Sequence, residues 1–111
     1  MSDPCIDVAV FSELQAQAGA DFVAELVATF ADEGADLLVA LRSAAAQGEA
    51  TSFRRAAHSI KSNAIAFGAR ALAEQARALE LGGLPNDSAG IDVLSTLFES
   101  TIAALRQRAA G

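Results

Sequence analysis

TSFRRAAHSIKSNAIAF, running from Thr51 to Phe67, has the spacing of an amphipathic helix. Phe53, Ala56, Ala57, Ile60, Ala64 and Phe67 recur at intervals of three and four and form one apolar stripe. At about 100° per residue, His58 falls roughly 140° from the middle of that stripe. The imidazole is therefore turned toward solvent or a partner. Lys61 and Ser62 follow three and four residues later, the two positions that neighbour His58 one turn on. A candidate nucleophile on the surface, beside a cation and a small hydroxyl, suits the handling of a phosphoryl group.

The rest of the chain reads as helix on both sides of this stretch. Asp7 or Pro4 opens a short helix with Val8, Phe11 and Leu14 inward, and Gly19 breaks it. A long helix from about Asp21 to Gln47 carries a stripe of Phe22, Val23, Leu26, Phe30, Leu37, Leu41 and Ala44, with Gly48 as its C-cap glycine. Thr51 or Ser52 is placed to cap the next helix, and Gly68 ends it. A helix from about Ala69 to Leu81 turns Leu72, Ala76 and Leu79 inward. Residues 82–88 form a loop, and a last helix from about Ala89 to Ala109 buries Ile91, Leu94, Phe98, Ile102 and Leu105. The fold expected is all-α: an antiparallel four-helix bundle with a short additional N-terminal helix capping one end. Residues 1–111 are read as a single domain, with no internal repeat.

Composition narrows the function. The formal charge is −6, a surface that repels phosphate backbones, so nucleic acid is not an expected partner. Cys5 is the only cysteine, which excludes an intrachain disulfide and fits a reducing, cytoplasmic setting. One histidine and one cysteine cannot make a nitrogen and sulfur metal site without carboxylates or a second subunit, so neither metal nor cofactor is expected. No leader-like segment opens the sequence and no apolar run approaches the ~20 residues of a membrane span. No glycine-rich phosphate loop with a lysine is present, so nothing points to nucleotide binding.

On the residues alone, His58 has a bland reading, a plain surface histidine, beside the chemical one. Arg54 and Lys61 flank it and make a local positive spot on an acidic protein. Ile65, two turns on, shares the outward face and marks a candidate docking surface together with Arg54. Glu80 lies twelve residues after Gly68 and His58 ten before it, so antiparallel helices bring the two to similar heights. Glu80 sits roughly 80° off its own apolar stripe, at the seam between helices. There it either accepts the Nδ1–H of His58, leaving Nε2 outward as a nucleophile, or merely solvates the seam.

The ordered set Ala57-His58-Ser59-Ile60-Lys61-Ser62, then Phe67-Gly68-Ala69, Leu72 and Leu79-Glu80, resembles the signature of the histidine-containing phosphotransfer (HPt) domains of two-component phosphorelays. Phe22, Leu26, Phe30 and Leu37 to Leu41 resemble the preceding long helix of that family, so the resemblance covers essentially the whole chain. Ser62 departs from it, since many members carry glycine there, yet serine is still small. The resemblance implies a phosphorelay intermediate. His58 accepts a phosphoryl group from an aspartyl phosphate on a receiver domain and passes it to another receiver. Lys61 is to offset charge on the phosphoryl oxygens, Ser62 to leave room, Glu80 to orient the imidazole, and Gly68 to end the helix without a Cβ clash. The implied partners are response-regulator receiver domains and a sensor or hybrid histidine kinase, with Mg²⁺ carried by the receiver. A cytoplasmic, bacterial monomer without kinase activity of its own is expected.

Two other classes compete. One is an adaptor bundle that binds a partner with no chemistry. The other is the dimerisation and phosphotransfer region of a sensor kinase. That family usually has an acidic residue directly after the histidine and a proline a few positions on. Here Ser59 follows, and residues 59–68 hold no proline.

Overall fold

The computed structural model describes residues 6–110. Five helices follow one another: α1 Val8–Ala18, α2 Ala20–Gln47, α3 Ala50–Ala66, α4 Arg70–Gly82 and α5 Ala89–Ala110. Among the described residues there is no strand. Helices α2 to α5 form the antiparallel bundle. Each of α2 and α4 packs on both α3 and α5, which closes a square of four helices around one core. Helix α1 leans on α2 at one end.

Local chemistry sets the ends of these helices. The Asp7 carboxylate accepts from the backbone N–H of Ala9 at 3.1 Å and of Val10 at 3.3 Å, which makes Asp7 the N-cap of α1. Pro4, the other candidate opener, lies outside the described residues. Gly48 ends α2 in the left-handed conformation, as its spacing suggested. The turn after it is short enough that Glu49 is already the N-cap of α3. Thr51 and Ser52 therefore lie inside the first turn and do not cap, contrary to the sequence reading.

At the far end of α3 the chain closes a Schellman turn. The N–H of Gly68 donates to Ile65 O at 3.1 Å and that of Ala69 to Ala64 O at 2.8 Å. Gly68 has φ +74, and a Cβ there would sit 2.9 Å from the Asp7 carbonyl oxygen. Glycine is thus needed twice over, for its backbone and for the close approach of α1. The Asp7 N–H donates to Gly68 O at 2.6 Å and fastens α1 to the α3–α4 turn.

The core is built from the stripes the sequence marks. Leu72, Ala76 and Leu79 of α4 and Ile91, Leu94, Phe98, Ile102 and Leu105 of α5 are all buried. Phe30 stacks on Phe67 at 4.9 Å and meets Phe98 edge-on at 5.7 Å, tying α2, the end of α3 and α5 together. Gly34 lets the Phe98 ring lie directly against α2, in the space its own Cβ would occupy. Two expected core residues are on the surface. Phe22 is 52% exposed, because the buried line of α2 runs through Val23, Val27, Phe30, Gly34 and Leu41, about 100° away. Val8 is also exposed, and Ile6 with Phe11 anchors α1 in its place.

Candidate functional site

Helix α3 buries Phe53, Ala56, Ala57, Ile60 and Ala64, and this phase fixes the opposite face outward. His58 stands in the middle of that face with its side chain 58% exposed. The Gly68 turn reverses the chain and brings α4 alongside at matching height. There Glu80, just after buried Leu79, lies in the seam with its side chain 16% exposed.

One carboxylate joins His58 to Lys61. Glu80 Oε2 is 2.7 Å from His58 Nδ1, and Lys61 Nζ donates to Glu80 Oε1 at 2.7 Å. The Lys61 hydrogen bond, then that of His58, holds the Glu80 carboxyl below the usual glutamate range, with partial burial opposing. An ionised carboxylate only accepts, so Nδ1 carries the proton. In the neutral imidazole, Nε2 then holds the free lone pair on the exposed side of the ring. Lys61 is less open than its place on the outer face suggests. Its side chain is 22% exposed, drawn down onto Glu80.

His58 separates two open grooves. On the α2 side, a groove of about 610 Å³ is lined by Glu33, Asp36 and Leu37 of α2 and by His58, Ser62 and Asn63 of α3. Toward the start of α3, one of about 410 Å³ is lined by Thr51, Arg54, Arg55, His58, Ser59 and Glu80. Ser62 is therefore at the edge of the imidazole's own groove, and Arg54 on the opposite side. Ile65 is 59% exposed. It borders a third, mainly apolar hollow of about 330 Å³ with Val10, Lys61, Ala73 and Arg77.

Sequence reasoning missed the parts of this surface contributed by α1 and α2. Val10, Glu33 and Asp36 become neighbours of the His58 face only through helix pairing, which the periodicity of one helix does not report. Arg55 could have been found, since it lies three residues before His58. Among the described residues, no group of three or more His, Cys, Asp or Glu is placed to hold a metal ion. No helix among them is long and apolar enough to cross a membrane.

The family model described as "Hpt domain" matches residues 25–108, which takes in most of α2 and all of α3 and α4. Among solved structures, the chain is similar to histidine-containing phosphotransfer protein B (HptB) from Pseudomonas aeruginosa PAO1. The TM-score is 0.90 at 26% sequence identity, over 98% of this chain and 97% of that one. No curated protein sequence matches significantly.

Proposed function

The chain belongs to the Hpt domain family, whose activity is histidine phosphotransfer in a phosphorelay, and on that premise we propose that His58 is its phosphoacceptor. The observation that carries this reading is the 2.7 Å contact between His58 Nδ1 and Glu80 on a ring that is otherwise open to solvent. It leaves Nε2 free to act as the nucleophile.

A receiver domain carrying an aspartyl phosphate docks on the His58 face. Nε2 attacks the phosphorus in line, the N–P bond forms, and the P–O bond to the aspartate breaks, with its electron pair leaving on the carboxylate. Positive charge builds on the imidazole during attack, and the Glu80 carboxylate at Nδ1 stabilises it. Attack by a second receiver's aspartate on the same phosphorus reverses the step and frees Nε2. Lys61 offsets the phosphoryl charge by exchanging Glu80 for a phosphoryl oxygen. Ser62 leaves steric room beside the ring, and Arg54 and Ile65 belong to the docking surface. The chain needs no cofactor of its own. Mg²⁺ sits in the acidic pocket of the receiver. Receivers and a sensor or hybrid kinase are the partners of this monomer, within a bacterial cytoplasm.

The test is incubation with phosphorylated receiver domains. The wild type takes up an acid-labile, alkali-stable label, and His58→Gln takes up none. Label that persists on His58→Gln removes His58 from the role.

A further inference from the structure

The two grooves beside His58 differ in charge. The groove toward α2 carries the carboxylates of Glu33 and Asp36, one turn apart on the exposed face of that helix. The groove at the start of α3 carries the guanidinium groups of Arg54 and Arg55, and the Glu80 carboxylate that also lines it is taken up by Lys61 and His58. All four side chains belong to exposed residues, and among the described residues none has an ion-pair partner within the chain. Other charges of the protein are paired across helices: Arg42 meets Asp92 at 2.8 Å, and Lys61 meets Glu80 at 2.7 Å. Around His58, four charges stand unpaired, sorted by sign to either side of the reactive ring.

We infer that this split fixes the orientation in which a receiver domain docks and selects among receivers. The inference rests on the proposed function, because it takes the phosphoryl exchange at His58 as given. The partner it fits is a receiver whose active-site rim is basic where it meets α2 and acidic where it meets Arg54 and Arg55 in the second turn of α3. A receiver turned end for end sets like charges against each other on both sides. Complementary charge of this kind acts on encounter rate and on rejection of wrong partners more than on final affinity.

The orientation matters for the reaction. In-line attack requires the aspartyl phosphate to arrive along the Nε2 axis, so a receiver pushed off that axis by like charges on either side does not react. The acidic side also has a cost that a simple phosphate-attracting surface would avoid. Glu33 and Asp36 repel the incoming phosphoryl group unless a basic side chain of the partner covers them first. That repulsion penalises receivers lacking such a side chain.

The experiment compares two charge-reversed variants with the wild type, Glu33→Lys/Asp36→Lys and Arg54→Glu/Arg55→Glu. It uses a panel of purified phosphorylated receivers, at about 20 mM and about 500 mM salt. For the preferred receiver each reversal lowers the transfer rate about tenfold or more at low salt, and high salt narrows the gap to about twofold. Receivers of the opposite rim charge gain. A loss through misfolding does not disappear on adding salt, and the neutral pair Glu33→Gln/Asp36→Asn gives an intermediate loss. Transfer rates within about twofold of wild type for both reversals at low salt, across the panel, overturn the inference. In that case label still appears on His58 of the wild type. Absence of label on the wild type instead counts against the proposed function itself.

Discussion

Gly34→Ala sets a helix-propensity gain against a packing loss, and the structure decides which wins. Alanine in place of glycine inside a helix gains about 1 kcal/mol. At Gly34 the new methyl would overlap the edge of the Phe98 ring. That ring has nowhere to retreat: Phe98 is buried and meets Phe30 edge-on at 5.7 Å, and Phe30 is itself stacked on Phe67 at 4.9 Å. Overpacking a filled core costs about 1–3 kcal/mol, so the net effect is a destabilisation of roughly 1 kcal/mol. Thermal unfolding followed by circular dichroism reads this as a fall in Tm of about 4 °C for a domain of this size. Gly82→Ala serves as the contrast, because a methyl there meets open space and the propensity gain stands alone. Shortening the ring in Gly34→Ala/Phe98→Leu recovers part of the loss that the two single changes predict when added. A Gly34→Ala protein that melts above the wild type would show that the Phe98 ring yields at no cost. So would strict additivity in the double variant.

Three further outcomes are expected. Glu80 and Asp92 both have carboxyls held below their usual values, Glu80 first by Lys61 and then His58, Asp92 first by Arg42 and then Ser88. The unfolded chain therefore binds their protons first as pH falls. The stability they contribute is present above the ordinary carboxylate range and is lost as pH drops through the lowered folded values. Urea midpoints measured from pH 7 to pH 3 should fall less steeply for Glu80→Gln/Asp92→Asn than for the wild type. Thr101 is fully buried and its hydroxyl has no partner, so Thr101→Val should raise stability by about 1 kcal/mol in urea unfolding. Lys61→Ala should slow phosphotransfer from a phosphorylated receiver while the chain remains fully helical, and loss of the helical circular dichroism signal would instead show Lys61 to be structural.

The bundle was legible because its apolar stripes are long and regular. Four helices with an inward face every three or four residues admit few other arrangements, and those of α4 and α5 are buried as read. Helix phase is weaker near helix starts. Phe22 and Val23 are adjacent and both apolar, and only packing against the rest of the bundle chooses Val23. Thr51 and Ser52 are good capping residues, yet the short link after Gly48 starts α3 before them. In the candidate site, the exposure of His58 and its height relative to Glu80 follow from helix geometry and the Gly68 turn. The depth of Lys61 does not, since it depends on a carboxylate of another helix pulling the ammonium inward. Glu33 and Asp36 were invisible as site residues for a related reason: their place beside His58 comes from α2 packing on α3.

The proposed chemistry turns on Glu80 holding the His58 proton on Nδ1 and so leaving Nε2 as the reacting nitrogen. Nitrogen and phosphorus NMR of the phosphorylated, ¹⁵N-labelled protein tests it most directly, because the coupling identifies the ring nitrogen bonded to phosphorus. The expected product has a single N–P bond, at Nε2 of His58. Phosphorus on Nδ1, or on any other residue, would contradict it.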